Sequence, residues 1–105
     1  MPTASRSWGV ARLVRARESL FRDLASIPGV RPYRSHANFI LFALEGRPPA
    51  EVFQALYERG VLVRDVSATP RLSDCLRVSV GTDDENAAFL AALRRAMAPG
   101  KGTRA

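Results

Sequence analysis

Two short runs decide the fold of this 105-residue chain: Gly60-Val61-Leu62-Val63-Arg64-Asp65-Val66-Ser67 and Cys75-Leu76-Arg77-Val78-Ser79-Val80-Gly81-Thr82. Each run is mostly apolar around one arginine, Arg64 or Arg77, and each predicts a strand. Because side chains alternate between the faces of a strand, both arginines should point away from the core. The opposite face of the second run then belongs to its apolar residues: Leu76, Val78 and Val80. A guanidinium fork binds carboxylate or phosphate through two hydrogen bonds, so the runs predict an anion site.

The remaining sequence predicts an α+β domain, with a small, mostly antiparallel sheet and helices packed on one side. In chain order we expect a helix that begins near Ser7 or Trp8 and stops before Pro28-Gly29, strands over 30–34 and 38–44, a helix that follows the turn at Gly46-Arg47-Pro48-Pro49 and ends at Gly60, strands over 61–64 and 76–80, and a helix capped by Thr82 and Glu85. The first helix should bury an apolar stripe: Val10, Leu13, Val14, Leu20, Phe21, Leu24 and Ile27. The domain is predicted over residues 7–98, with a flexible N-terminus, 1–6, and a disordered tail, 99–105.

Three blocks together resemble the C-terminal small domain of a fold-type I, pyridoxal-phosphate-dependent aminotransferase, with histidinol-phosphate aminotransferase as the nearest group. They are Ser35 to Phe42, Gly60 to Ser67, and Cys75 to Asn86. The resemblance implies that the arginine at position 77 binds the acidic end of the substrate and that Arg64 helps to hold the substrate phosphate. It also implies amino transfer between histidinol phosphate and 2-oxoglutarate, a step of histidine biosynthesis.

The resemblance further implies a preceding large domain, in which a lysine holds the cofactor. This sequence has a single lysine, Lys101, in a Gly-containing tail outside the family blocks. Schiff-base chemistry needs a positioned amine, so we expect no catalytic residue, no bound pyridoxal phosphate and no activity in the isolated chain. The first helix starts soon after Met1, which leaves no place for the large domain within the chain. The predicted partner is therefore that domain, or a second copy.

Other interpretations stay open. Aromatic aminotransferases and threonine-phosphate decarboxylase share this domain, and the run Ala68 to Asp74 does not separate them. The chain is alternatively a non-catalytic fragment that acts as a protein interaction module through exposed apolar surface.

Composition excludes several classes of function. The net charge is +6, but the fifteen arginines are spread along the chain without interleaved aromatic residues, so we predict no nucleic-acid binding. No apolar run approaches the roughly 18 residues that span a membrane. The single cysteine, Cys75, excludes an internal disulfide and favours a reducing compartment, the cytoplasm.

Three further residues were weighed for function. Asn38 starts the second strand, where it either holds the turn or contacts the substrate side of a cleft. His36 has no partners that suggest catalysis or metal binding, so we expect a loop residue. Cys75 has apolar neighbours, which predicts a buried and unreactive thiol. No metal site is predicted.

Overall fold

The structure is a computed structural model that describes residues 2–98, with side chains from residue 9 onward. It contains seven elements: α1 (Pro2–Ala25), β1 (Val30–Pro32), β2 (Phe39–Leu44), α2 (Pro49–Glu58), β3 (Arg64–Asp65), β4 (Cys75–Ser79) and α3 (Asp83–Met97). The predicted disordered tail, 99–105, lies outside the described residues. No helix within the described range is long and apolar enough to cross a membrane.

The four strands form one sheet in the order β1-β2-β4-β3, and all three strand pairs are antiparallel. One face of the sheet packs against the helices and forms the core. That core joins apolar side chains of β2 and β4 to those of the three helices: Ile40, Phe42, Leu76, Val78, Leu20, Leu24, Val52, Leu56, Phe89 and Leu93. The predicted α+β class, with helices on one side of an antiparallel sheet, is confirmed.

Strand β4 alternates as its sequence predicts. Leu76 is completely buried and Val78 is 5% exposed, and both face the helices. Arg77 is half-buried and Ser79 is exposed on the other side, which we call the open face. The face assignment from the sequence is therefore confirmed.

Helix α1 differs from its prediction at its start. It begins at Pro2 rather than near Ser7 or Trp8, whereas it ends at Ala25, before Pro28-Gly29 as predicted. The stripe is also only partly buried, because Val10 is 58% and Val14 is 41% exposed. A 24-residue helix is about 36 Å long, whereas a six-residue strand spans roughly 20 Å, so the sheet cannot cover its whole length. The proposed domain boundaries at residues 6 and 98 stay predictions.

The strand bounds also needed correction. Strand β1 ends at Pro32 instead of Arg34, and β3 covers residues 64–65 instead of 61–64. Residues 61–63 are not part of a strand but connect α2 to β3. They follow Gly60, which has a left-handed backbone conformation (φ 79°). The N–H of Gly60 donates to Tyr57 O and that of Val61 to Leu56 O, at 2.9 Å each. This is the Schellman arrangement, so Gly60 is confirmed as the helix terminator.

Helix α3 has the predicted capping box. The Thr82 hydroxyl accepts from the Glu85 N–H at 3.1 Å, and the Glu85 carboxylate accepts from the Thr82 N–H at 2.8 Å. We expect Thr82→Ala to lower the free energy of unfolding by about 1 kcal/mol, because N-terminal N–H groups of the helix lose their acceptor. The melting temperature should fall by roughly 4–8 °C. Thr69→Ala, on an exposed loop residue, is the control, and an equal fall in both variants would contradict the assignment.

Candidate anion-binding site

The two arginines singled out in the sequence are direct neighbours across the sheet edge. Strands β3 and β4 pair so that Arg64 lies opposite Arg77. Side chains directly opposite each other share a face, with Cβ atoms about 5 Å apart. Both guanidinium groups therefore project from the open face, and two positive charges are placed side by side.

No carboxylate neutralises this pair within the described part of the chain, where neither arginine has an acidic oxygen within 4.0 Å. Arg31, which lies on the same face in β1, is different because its Nη1 pairs with Glu45. The carboxylate of Asp65 is next to Arg64 in sequence, but it accepts hydrogen bonds from the Ser67 N–H and hydroxyl instead. Arg64 and Asp65 therefore form no local charge pair.

Like charges directly opposite each other destabilise a sheet. The repulsion is modest for the exposed Arg64, because water screens it. The pair nevertheless raises the positive potential at one point of the surface, and an anion that binds there relieves the repulsion. A bidentate carboxylate or phosphate matches both the charge and the planar donors.

The guanidinium of Arg77 is stacked on an aromatic ring. Its Cζ atom lies 4.6 Å from the centroid of the Phe39 ring. Phe39 pairs with Ser79 in the register of β2 and β4, so it lies diagonally across from Arg77 on the open face. Sequence analysis missed this contact, although Phe39 stands in the Ala37-Asn38-Phe39 block. The contact could have been predicted from strand alternation. Phe39 is two residues from Leu41, so it lies on the same face of β2 as Leu41, the residue opposite Arg77.

A groove of about 450 Å³ surrounds the arginine pair. Its lining combines the charged edge strands with apolar residues of α2 and the connection that follows it: Phe53, Leu62, Val63, Arg64, Asp65, Arg77 and Ser79. Leu62 is 72% exposed, an unusual position for so large an apolar side chain. The groove therefore offers two cations beside an apolar wall.

No residue of α3 lines this groove, and several N–H groups at the start of the helix are already hydrogen-bonded. The N–H groups of Thr82 and Glu85 are taken by the capping box, and the N–H of Gly81 donates to Asn86 Oδ1 at 2.9 Å. Three acidic residues fill the first turn of the helix. The positive charge in this region thus comes from the arginines and not from helix N–H groups.

Asn38 is exposed just before β2 and does not line the groove. Its backbone carbonyl accepts from the Val80 N–H at 2.8 Å. The turn before it is held by other groups, since the Ser35 hydroxyl accepts from the Ala37 N–H at 3.0 Å. His36 is exposed in this segment, as expected for a loop residue. A substrate contact by Asn38 remains a prediction.

A buried arginine that the sequence analysis did not identify also holds this turn. Arg17 in α1 is only 8% exposed, and its Nη1 donates to the Ala37 carbonyl at 3.2 Å. Its Nε lies 3.9 Å from Glu18 and has no hydrogen-bond partner among the described residues. Its position was a signal of burial, because Arg17 lies four residues after Leu13 and three before Leu20, within the apolar stripe of α1.

Cys75 is 1% exposed, as predicted for a buried thiol. Burial raises the pKa of the Cys75 thiol, and the neighbouring Asp74 carboxylate raises it further. Such a thiol stays protonated and unreactive. Within residues 2–98 no cluster of three or more histidine, cysteine, aspartate or glutamate side chains is arranged to hold a metal ion.

Comparison with known proteins agrees with this fold. The model of the family Aminotransferase class I and II matches residues 6–93. Histidinol-phosphate aminotransferase 2 of Nitrosococcus oceani is 50% identical over 86 residues, which cover 80% of this chain. The histidinol-phosphate aminotransferase of Aquifex aeolicus is 43% identical over 88 residues, or 84% of the chain. The chain therefore belongs to the class I and II aminotransferase family.

Solved structures show the same fold. L-threonine-O-3-phosphate decarboxylase from Porphyromonas gingivalis superposes with a TM-score of 0.76 at 25% identity, over 81% of this chain and 27% of that one. The histidinol-phosphate aminotransferase from Clostridium acetobutylicum gives 0.76 at 23% identity, over 81% of this chain and 26% of that one. The chain spans about a quarter of the length of its curated relatives, 24% and 25% for the two named above.

The family uses pyridoxal phosphate, but the described residues do not fit covalent attachment of that cofactor. They include no lysine, since Lys101 lies outside them. The N-terminus of α3 is already capped by Thr82 and Glu85. The described surface therefore suits recognition of an anionic group, and we assign no step of bond-breaking chemistry to it.

Proposed function

We propose that this chain provides the substrate-anion recognition of an aminotransferase that acts on histidinol phosphate and 2-oxoglutarate, in histidine biosynthesis. Arg77 binds the carboxylate of the amino or keto acid, and Arg64 binds the substrate phosphate. The observation that carries the proposal is the arginine pair itself, placed directly across two strands on a groove and without a carboxylate partner among the described residues. Charge left uncompensated in a concave site is typical of ligand recognition.

The two arginines suit the different anionic groups that the two substrates bring, a carboxylate and a phosphate. Arg77 is half-buried and stacked, which fits a fixed, bidentate contact with a planar carboxylate. Arg64 is exposed at the edge strand, where a phosphate retains part of its hydration. The apolar wall made by Phe53, Leu62 and Val63 lies beside both groups and suits the uncharged part of a substrate.

A complete active site on this proposal needs a partner. The exposed apolar residues Val10, Val14 and Leu62 are 58%, 41% and 72% exposed. The relatives are about four times longer than the matched region, which is 24% of the Nitrosococcus oceani protein. We infer that these residues contact a large aminotransferase domain that carries the cofactor lysine, or a second copy of the chain. A cytoplasmic location, inferred from the free thiol of Cys75, belongs to the same proposal.

Two alternatives have some support. The decarboxylase from Porphyromonas gingivalis shares the fold, and the substrate in its name carries a carboxylate and a phosphate in one molecule, whereas 2-oxoglutarate brings the carboxylate and histidinol phosphate the phosphate in the transamination. The relatives at 43–50% identity are histidinol-phosphate aminotransferases, which favours that substrate. A non-catalytic interaction module is supported by the exposed apolar residues alone and leaves the unpaired arginines unexplained.

Titration of the isolated chain with simple anions tests the proposal. Glutarate and inorganic phosphate should each bind weakly, at millimolar concentration, because an exposed ion pair is worth about 1 kcal/mol or less. Arg77→Ala should abolish the glutarate-dependent shifts of amide resonances around β4, and Arg64→Ala should do the same for phosphate. Two-dimensional NMR at constant ionic strength measures the amide shifts in both titrations.

Arg31→Ala is the matched control, because Arg31 lies on the same face but is paired with Glu45. It should leave both titrations unchanged. Equal effects of the three substitutions would mean that anions respond to net charge, and the proposed site would be rejected.

A further inference from the structure

We infer that Phe39 is a positioning residue, whose ring holds the Arg77 guanidinium in the orientation that binds a carboxylate. The inference rests on the proposed function of Arg77 and adds a residue to it. It starts from the 4.6 Å separation between Arg77 Cζ and the Phe39 centroid.

Stacking and anion binding use different parts of the guanidinium group. The electron-rich face of the aromatic ring attracts the cation. The five N–H bonds lie in the guanidinium plane and point outward from its edge. A guanidinium that covers the ring with its flat side therefore keeps its edge free for the two oxygens of a carboxylate.

Arg77 has little else to fix it. Among the described residues its side chain forms no ion pair and donates no hydrogen bond. Arg64 lies directly opposite and repels it. A free arginine side chain loses much of its rotamer entropy when it is immobilised. A ring that orders the side chain before the ligand arrives removes part of that cost from binding.

A second stacked arginine in the same chain shows the contrast. Arg34 Cζ lies 4.1 Å from the centroid of Phe21, and its Nη1 is also 2.6 Å from Glu18. The edge of that guanidinium is already occupied by a carboxylate of the protein. Arg77 has the same stacking with an open edge, so its stacking serves an external carboxylate, whereas that of Arg34 serves the fold.

Glutarate titration of the ¹⁵N-labelled chain, read on the arginine Nε–H resonances, tests the inference. The Arg77 resonance is assigned by its loss in Arg77→Lys. Phe39→Leu should remove the ring-current shift of that resonance and weaken glutarate binding about three- to fivefold. Phe39→Tyr keeps an aromatic face and should bind within about twofold of the wild type. Phe39 is only partly buried, outside the core cluster, so both variants should fold.

Pentafluorophenylalanine at position 39 is a further variant, which keeps the ring but reverses its quadrupole. It should weaken binding as Phe39→Leu does. Phe21→Leu is the control: it should shift the Arg34 resonance and leave glutarate binding unchanged. The positioning role would be overturned if Phe39→Leu and the fluorinated variant both bound glutarate with wild-type affinity while Arg77→Ala still abolished binding. If Arg77→Ala had no effect, the proposed function itself would fail, and the inference with it.

Discussion

Leu76→Asp should leave the chain unfolded or aggregated, whereas Arg77→Ala at the adjacent position should leave it folded. Leu76 is fully buried on the helix-facing side of β4. Removal of its side chain forfeits about 2–3 kcal/mol of apolar burial, and the carboxylate adds a desolvation penalty of several kcal/mol. Together these terms are comparable with the roughly 5–15 kcal/mol that stabilises a whole domain.

Arg77→Ala removes a half-buried cation and its stacking on Phe39, and it also relieves the repulsion of Arg64. The expected change in the free energy of unfolding is within about 1 kcal/mol. Circular dichroism melts and size-exclusion chromatography measure both variants. Similar melting curves for the two would show that the faces of β4 are assigned wrongly.

Restoration of a complete cleft should give the largest functional effect. We expect this chain, fused to or mixed with the lysine-bearing large domain of a related enzyme, to bind histidinol phosphate and glutamate far more tightly than the millimolar affinity expected alone. In a closed, dry cleft the bidentate pair between guanidinium and carboxylate is no longer screened by water. Titration calorimetry on the chain and on the complex measures the gain.

Arg77→Lys in the complex is the decisive variant. A lysine keeps the charge but cannot form the planar fork, so glutamate affinity should fall at least about tenfold. Arg31→Lys, at a position paired with Glu45, is the control and should have no effect on affinity. If the Arg77→Lys complex bound glutamate as tightly as the wild type, Arg77 would not be the carboxylate-binding residue.

Much of the local structure followed from short-range chemistry. The alternation around Arg77, the left-handed Gly60 and the capping box of Thr82 and Glu85 each depend on a few adjacent residues. Element ends were less well predicted, as in α1 and β3. The end of an element depends on where its neighbours stop covering it, which no local pattern contains.

The candidate site likewise combines features that adjacent residues predict with features that depend on the packing of distant elements. The sequence indicated two outward-facing arginines and, through the family resemblance, what they bind. It did not indicate a partner for the Asp65 carboxylate, which in the structure accepts a hydrogen bond from the Ser67 N–H. It also treated Asn38 as a possible contact, although Asn38 lies outside the groove and Phe39 faces Arg77.

The sequence by itself determined which side chains are apolar, which are charged and which face of a strand each occupies, because period-2 alternation and helix capping act over a few residues. Only the tertiary structure decided that Arg64 lies opposite Arg77, that Phe39 lies against the latter and that Arg17 donates to the Ala37 carbonyl. Those relations join residues 13, 38 and 20 positions apart, counting from Arg64 to Arg77, Phe39 to Arg77 and Arg17 to Ala37. Strand register and the packing of α1 bring them together, and both are set by the burial of the whole core.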